Sequence, residues 1–230
     1  MIESLLLCTA SFILAIGVIP IQIRKFREKG IVVPDYYKNH LKYVPTAGGI
    51  SIMAVFFALL ILMTFLAFVV PPTHSVRIGR LEGIAALIIA LFALFGVLDD
   101  FVDVGRVSKI IIPFFLALPI GLAVDNHPVV IPGIGSFKLG LLYLYLIAPL
   151  YIMVVSNLVN MHPGFNGLAA GLSSILLATL LLKSLINHGN LLVMNSIMLG
   201  AVAGFLIYNW YPSRIFDGNT GALAIGAAIG

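Results

Sequence analysis

Long apolar stretches alternate with short polar segments along the whole chain. Each stretch is close to the roughly 20 residues that an α-helix needs to cross the hydrocarbon core of a bilayer. Inside lipid a helix satisfies its own backbone hydrogen bonds, which favours helices for runs of this length. The pattern predicts apolar spans at 4–23, 47–70, 83–98, 110–124, 139–156, 167–183 and 191–209, and an eighth that begins near residue 220.

Composition strengthens this interpretation, because 61% of the 230 residues are hydrophobic and only 10% are charged. A soluble domain would carry about a quarter charged residues. We therefore expect an all-α, polytopic membrane helix bundle in which residues 1–230 form a single transmembrane domain. The eighth stretch is too short for a complete span, so we also expect the sequence to be C-terminally truncated.

Charge predicts the orientation of the bundle. Loops 24–46, 99–109, 157–166 and 210–219 hold nine of the thirteen basic residues. Basic residues favour the cytoplasmic side, so these loops are predicted to face the cytoplasm of a plasma-membrane protein whose N-terminus lies outside. The same preference explains the net charge of +4. The sequence has no basic run with interleaved aromatic residues, so we expect no nucleic-acid partner.

Three aspartates and a lysine stand in loop 99–109. If this segment is helical, Asp103 lies one turn from Asp99 and Asp100, and the three carboxylates share a face. Carboxylates at a lipid boundary need a compensating cation, and oxygen ligands favour Mg²⁺ or Mn²⁺. The alternative is a helix end with solvated acids. Lys109 is suited to holding phosphate oxygens, although an interfacial anchor would have the same spacing.

Amides and glycines stand in loop 157–166. Asn157 and Asn160 are neighbours on a helix face, where they can ligate a hard cation, bind a sugar or hold another helix. Gly164 and Gly167 indicate a tight turn in which the backbone approaches a ligand or another helix. Because these polar motifs all fall on the same predicted side, they can form one site.

Four motifs occur in a fixed order along nearly the whole chain. They are Asp35-x-x-Lys38 with Val44-Pro45-Thr46-Ala47-Gly48-Gly49, then Asp99-Asp100-x-x-Asp103 with Lys109, then Asn157-x-x-Asn160 with Gly164-Phe165-Asn166-Gly167-Leu168, and finally Phe216-x-Gly218-Asn219-Thr220-Gly221. Together they resemble the polyprenyl-phosphate N-acetylhexosamine-1-phosphate transferase superfamily, of the glycosyltransferase family 4 type. The Asn-Gly-Leu form of the third motif is closer to the archaeal and eukaryotic dolichyl-phosphate branch.

The resemblance implies an Mg²⁺- or Mn²⁺-dependent enzyme that moves a HexNAc-1-phosphate from a UDP-N-acetylhexosamine, such as UDP-GlcNAc, to a polyprenyl or dolichyl phosphate. It implies catalytic roles for Asp99, Asp100 and Lys109, and metal ligands at Asn160, Asn219 and Asp100. The implied substrate-binding residues are Lys38, Asp103, Asn157, Gly164, Asn166 and Phe216, with Phe216 stacked on uracil.

Two departures from the family pattern keep other functions open. Asn219 stands where the family usually has an aspartate ligand, and family members continue well past residue 230. An inactive or truncated homologue that acts only as a membrane partner is therefore one alternative. A transporter is another, although its charged groups would be expected near span centres. The oligomeric state stays open between a monomer and a homodimer.

Overall fold

A computed structural model describes residues 2–35, 42–69, 79–102, 104–125, 129–131, 133, 135–162, 165–187, 189 and 191–230. Three of the predicted site residues, Lys38, Asp103 and Gly164, lie outside the described residues.

The described chain consists of helices and two short antiparallel hairpins. The helices are α1 (Ile2–Glu28), α2 (Gly49–Val69), α3 (Arg80–Val102), α4 (Ser108–Ala117), α5 (Ala148–Met161), α6 (Leu168–Ile186), α7 (Leu192–Asn209) and α8 (Gly218–Ile229). A 3₁₀ turn at Leu118–Leu122 extends α4, and a π-helical turn at Tyr143–Ile147 leads into α5. In the first hairpin β1 (Val32–Asp35) pairs with β2 (Lys42–Pro45), and in the second β3 (Val129–Ile131) pairs with β4 (Gly135–Phe137).

The predicted all-α membrane bundle is confirmed. Among the described residues, six helices are long and apolar enough to cross a membrane, and two shorter apolar helices lie at Ser108–Leu122 and Gly218–Ile229. The element bounds differ from the predicted spans in one way that matters for the site. Helix α3 continues to Val102, so Asp99 and Asp100 lie in its last turns rather than in a loop.

Small residues allow the helices to approach one another closely. A side chain at Gly200 of α7 would meet the Cys8 carbonyl oxygen of α1 at 2.2 Å, which leaves room only for glycine. Helix α8 is packed in the same way against three other helices. Gly49 of α2 faces Gly221, Gly96 of α3 faces Thr220, and Gly226 faces Ser156 of α5. Without a strong hydrophobic drive between helices in lipid, such close backbone packing and its dispersion energy hold the bundle together.

Helix α8 is consequently the buried centre of this part of the bundle, with Thr220 to Ala227 all buried. The Ser156 hydroxyl of α5 donates a 2.8 Å hydrogen bond to the Leu223 carbonyl and adds a polar tie. The N-terminus of α8 is thereby fixed beside the C-terminal end of α3, and these two helix ends define the site described below.

Gly96→Ala should destabilise the bundle, because the added methyl carbon would lie 2.5 Å from the Thr220 Cα atom and 2.6 Å from the Asn219 carbonyl oxygen. Overpacking against backbone of this kind costs about 1–3 kcal/mol. Gly83→Ala is the matched control on the same helix, since nothing lies within 4 Å of its added carbon. Thermal unfolding in detergent should show a lower Tm for Gly96→Ala and an unchanged or higher Tm for Gly83→Ala. Equal Tm values would contradict the packing described for α8.

Candidate active site

A cleft of about 640 Å³ opens where the ends of α3, α5 and α8 meet the first hairpin. Its lining residues are Val33, Pro34, Asp35, Thr46, Asp99, Asp100, Phe101, Asn160, Asn166, Phe216, Asp217, Gly218 and Asn219. Six of them are site residues predicted from the sequence: Asp99, Asp100, Asn160, Asn166, Phe216 and Asn219. The structure thus brings together motifs that are separated by more than a hundred residues along the chain.

Asp99 is a buried carboxylate with two different environments at its two oxygens. Its Oδ1 atom forms a 2.9 Å ion pair with the Lys109 ammonium group and accepts a 3.0 Å hydrogen bond from the Val104 amide. Its Oδ2 atom has no hydrogen-bond partner within the described part of the chain. An unsatisfied buried carboxylate oxygen is costly, so this atom is an acceptor that a bound cation or ligand could satisfy.

Lys109 reaches the site through Asp99. The lysine stands in the first turn of α4, and its side chain is 29% exposed while that of Asp99 is fully buried. The ion pair neutralises Asp99 at the C-terminal end of α3, where the helix dipole disfavours a negative charge. Lys109 is not among the residues that line the cleft, so its predicted contact with a phosphate would require its ammonium group to face both Asp99 and the ligand.

Asp100 binds the N-terminus of α8. It accepts a 2.7 Å hydrogen bond from the Asn219 amide, a 3.0 Å bond from the Thr220 amide and a 2.6 Å bond from the Thr220 hydroxyl. The first amides of a helix have no partners within the helix, and a carboxylate there is favoured by the dipole. Asp217 is the N-cap residue of α8 but makes no side-chain cap bond, so Asp100 caps α8 from another helix.

Backbone hydrogen bonds join the end of the first hairpin to the segment before α8. The Phe216 amide donates to the Pro45 carbonyl, and the Gly48 and Gly49 amides donate to the carbonyls of Phe216 and Asp217, each at 2.8 Å. A side chain at Gly48 would collide with the Phe205 ring and the Phe216 carbonyl oxygen, and one at Gly49 would collide with the backbone of Gly221 in α8. This ladder sets the position of Phe216 on the cleft wall.

Gln22 supports the same segment and is a residue that the sequence analysis missed. Its side-chain amide donates a 2.8 Å bond to the Ala47 carbonyl and accepts a bond from the Ser51 hydroxyl. Ala47 is held with a positive φ of 58°, an uncommon conformation for a residue with a side chain. The sequence contained a signal for this role, namely a single side-chain amide inside an otherwise apolar span. Such a group needs a buried hydrogen-bond partner.

The asparagines of the third motif have different positions. Asn160 and Asn166 line the cleft, and the Asn166 amide donates a 3.3 Å bond to Asp35 Oδ2 of the first hairpin. Asn157 instead donates a 3.0 Å bond to the Met153 carbonyl one turn earlier on its own helix, and it is not among the cleft residues. Gly167 is the N-cap residue before α6, with a φ of 81°, and its backbone amide donates to the Asn209 side chain at 3.1 Å.

The cleft is acidic. Asp35, Asp99, Asp100 and Asp217 all line it. Burial raises the pKa of Asp217 to about 6, and the charge of nearby Asp100 adds to the rise while backbone hydrogen bonds oppose it. A cation in the cleft would offset this accumulated negative charge.

The oxygen donors that line the cleft suit a hard cation. In the described ranges no three His, Cys, Asp or Glu side chains come together as a metal-binding group. A metal would therefore need amide oxygens beside a carboxylate, and Asn160 and Asn219 share the cleft with the unpartnered Oδ2 atom of Asp99. Carboxylate and amide oxygens are ligands of Mg²⁺ and Mn²⁺, whereas Zn²⁺ prefers sulfur and nitrogen.

Comparison with known proteins identifies relatives of the chain. The sequence model of glycosyl transferase family 4 matches residues 83–230. A Saccharolobus solfataricus protein described as a putative UDP-N-acetylglucosamine–dolichyl-phosphate N-acetylglucosaminephosphotransferase is 33% identical over 214 residues, which are 90% of this chain and 63% of that protein. A Sulfolobus acidocaldarius protein of the same description is 30% identical over 89% of this chain and 62% of its own length.

A bacterial relative has a different description. The phospho-N-acetylmuramoyl-pentapeptide-transferase of Clostridium kluyveri is 30% identical over 225 residues, which are 90% of this chain and 67% of that protein. The chain spans less than two thirds of the length of either archaeal relative.

Proposed function

Because the chain belongs to glycosyl transferase family 4, we propose that it transfers a sugar 1-phosphate from a nucleotide sugar to a polyprenyl phosphate. The observation that carries this proposal is the cleft at one end of the membrane bundle, which is lined by two asparagines and by a buried aspartate whose Oδ2 atom has no partner among the described residues. The two archaeal relatives are described by their names as acting with UDP-N-acetylglucosamine and dolichyl phosphate. UDP-GlcNAc and dolichyl phosphate are therefore the proposed substrates.

The proposed reaction exchanges one phosphorus–oxygen bond for another. An oxygen of the lipid phosphate attacks the β-phosphorus of the UDP-sugar, which is the phosphorus that carries the sugar. The bond between this phosphorus and the bridging oxygen breaks, and the electron pair leaves with UMP. The product is a lipid-linked sugar diphosphate. The lipid phosphate is ionised at neutral pH, so positioning and charge neutralisation supply most of the rate.

Asp99 and Lys109 are the proposed pair at the reacting phosphates. Lys109 offsets negative charge where it accumulates, and Asp99 holds the ammonium group in place through their 2.9 Å ion pair. With the lipid phosphate already ionised, Asp99 positions the reacting groups rather than removing a proton. Asp100 acts by holding the N-terminus of α8, and its three hydrogen bonds orient Asn219 on the cleft wall.

Mg²⁺ or Mn²⁺ is the proposed cofactor, with Asp99, Asn160 and Asn219 as the residues that would hold it. When bound, such an ion neutralises diphosphate charge and polarises the phosphoryl oxygens. Asp100 was also predicted as a ligand, but its oxygens already accept three hydrogen bonds. We therefore favour Asp99 over Asp100 for this role.

The remaining roles follow from the family resemblance. Phe216 is proposed to stack on uracil from the cleft wall, and Asn166 is proposed to bind the substrate there. Lys38, Asp103 and Gly164 lie outside the described residues, and their substrate-binding roles stay predictions. The role of Asn157 stays a prediction too. The distribution of basic residues supports a cleft that faces the cytoplasm.

The test uses membranes that contain the chain together with radiolabelled UDP-GlcNAc, dolichyl phosphate and Mg²⁺. We expect UMP release in equal amounts with labelled lipid, and loss of both when EDTA removes the metal. Membranes without the chain are the control. No labelled lipid with any of several UDP-sugars and polyprenyl phosphates would overturn the proposal and favour a protein that acts only as a membrane partner. Movement of an intact substrate across the membrane, without UMP release, would favour a transporter.

A further inference from the structure

A second cleft, of about 720 Å³, lies outside the candidate active site at the same end of the bundle. Three of its lining side chains are arginines, namely Arg24 and Arg27 from the last turns of α1 and Arg214 from the segment between α7 and α8. These residues are separated by almost two hundred positions in the sequence. The fold therefore concentrates positive charge at one place, beyond what the basic flank of α1 alone would produce.

The charge of this arginine cleft is only partly compensated. Glu28 is the one acidic residue among its described lining residues. Its ion pair with Arg24 is long, at 3.9 Å, and both side chains are well exposed, so the pair contributes little. Within the described part of the chain, Arg27 and Arg214 form no ion pair. The cleft therefore offers guanidinium groups to an anion, and guanidinium groups bind phosphate oxygens in a bidentate way.

The backbone on both sides of the arginine cleft is held in place. The Tyr208 hydroxyl of α7 donates a 3.0 Å bond to the Ile16 carbonyl of α1 and ties the two helices together. The Arg214 amide donates a 2.8 Å bond to the Tyr208 carbonyl. Further along the same segment, the Ile215 carbonyl accepts bonds from Asn209 and Ser213. Arg214 is therefore presented towards α1 from a fixed segment rather than from a free loop.

The surroundings of the arginine cleft identify the kind of anion. Its apolar wall is formed by Pro20 and Ile23 of α1. Exposed apolar side chains lie next to the lining residues along the chain, at Ile21 of α1 and Ile207 of α7, where acyl chains would lie. A ligand with a phosphate at one end and hydrocarbon at the other matches both features. Basic pockets beside membrane helices bind anionic lipid head groups for this reason.

We propose that the cleft formed by Arg24, Arg27 and Arg214 binds the phosphate head group of an anionic membrane phospholipid. The lipid lies between the end of α1 and the segment before α8, and its acyl chains follow the outer face of α1. Bound there, it links α1 to the segment that carries Phe216 and Asp217. This site is independent of the proposed transferase activity, because none of its three arginines lines the candidate active site.

The test is native mass spectrometry of the purified chain with phosphatidylglycerol or phosphatidylcholine. We compare the wild type with R27Q/R214Q in one mixture, so that both proteins are exposed to the same lipid concentration. The matched control is K25Q/K29Q, which removes the same charge from exposed positions at the end of α1 that do not line the cleft. The wild type should bind phosphatidylglycerol more tightly than phosphatidylcholine. R27Q/R214Q should weaken phosphatidylglycerol binding roughly 25-fold, at about fivefold for each arginine.

The control K25Q/K29Q should stay within about twofold of the wild type, because surface charges outside the cleft act only through screened attraction. Ammonium phosphate at a fixed total ammonium concentration should not displace the lipid. Equal weakening in both double variants would overturn the proposal, and so would equal binding of the two lipids. Displacement by phosphate would overturn it in favour of a soluble phosphate ligand. R214Q alone, expected to weaken binding about fivefold, replaces the double variant if that variant does not fold.

Discussion

Replacing Asp99 by asparagine is expected to lower the rate of sugar-phosphate transfer by about 10²–10³-fold, because it releases Lys109 and the loss of one group that stabilises developing charge usually costs this much. The variant keeps the shape of the side chain but removes its charge. Lys109 then loses the partner that holds it at 2.9 Å, and the unpartnered Oδ2 acceptor in the cleft loses its charge as well. The measurement is the initial rate of labelled lipid formation from UDP-GlcNAc, over a range of Mg²⁺ concentrations.

The matched control for this change is Asp125→Asn. Asp125 is exposed and lies outside the cleft, so the same chemical change there should leave the rate within about twofold of the wild type, as expected for a surface substitution.

Lys109→Gln should also lower the rate strongly, whereas Lys138→Gln at an exposed position should not. In the double variant, the losses of transition-state stabilisation from Asp99→Asn and Lys109→Gln should be far from additive, because the two side chains act as one unit. Near-normal transfer in Asp99→Asn would remove this pair from the site.

Replacing Asp100 by alanine is expected to destabilise the chain by about 2–4 kcal/mol and to abolish most of the transfer activity. The substitution leaves the Asn219 and Thr220 amides and the Thr220 hydroxyl without their acceptor. Loss of a helix cap costs about 1 kcal/mol, and a hydrogen bond to a charged group is worth about 1.5–3 kcal/mol. Thermal unfolding in detergent, followed by the fluorescence of the single tryptophan, Trp210, measures the effect.

Thr220→Val separates the contributions to this cap. It removes only the 2.6 Å bond from the hydroxyl to the Asp100 carboxylate and keeps the shape of the side chain, so a loss of about 1.5–3 kcal/mol is expected. Asp125→Ala, at an exposed position, should leave the Tm unchanged. If Asp100→Ala abolishes transfer without lowering the Tm, Asp100 acts directly on the substrate, and its proposed role in holding α8 is wrong.

The membrane bundle was predictable because its signal is local. Hydropathy and length decide whether a segment can cross a bilayer, and both can be read from consecutive residues. The spans at 4–23, 47–70 and 191–209 accordingly correspond to α1, α2 and α7. The first hairpin was not anticipated, because its strands are only four residues long. Strand pairing over such a short distance depends on a partner that hydropathy does not identify.

The predicted family is confirmed by the match over residues 83–230, and the convergence of six predicted residues on one cleft agrees with the motif interpretation. The residue roles stay predictions. The spacing alone did not decide whether Lys109 binds a phosphate or anchors its helix at the membrane interface. The structure adds its ion pair with Asp99, a contact across the turn between α3 and α4.

The sequence by itself determined that this chain is a helical membrane protein with its polar motifs at one end, because apolar length and the order of motifs are properties of the chain alone. Only the tertiary structure decided how the two adjacent aspartates differ. Asp99 meets Lys109 and keeps one oxygen without a partner among the described residues, while Asp100 caps α8. Neighbouring residues on a helix point in different directions, so their partners come from segments that meet only when the bundle is packed. The same reason explains why Arg214 was not associated with Arg24 and Arg27 before the fold brought α1 and α7 together.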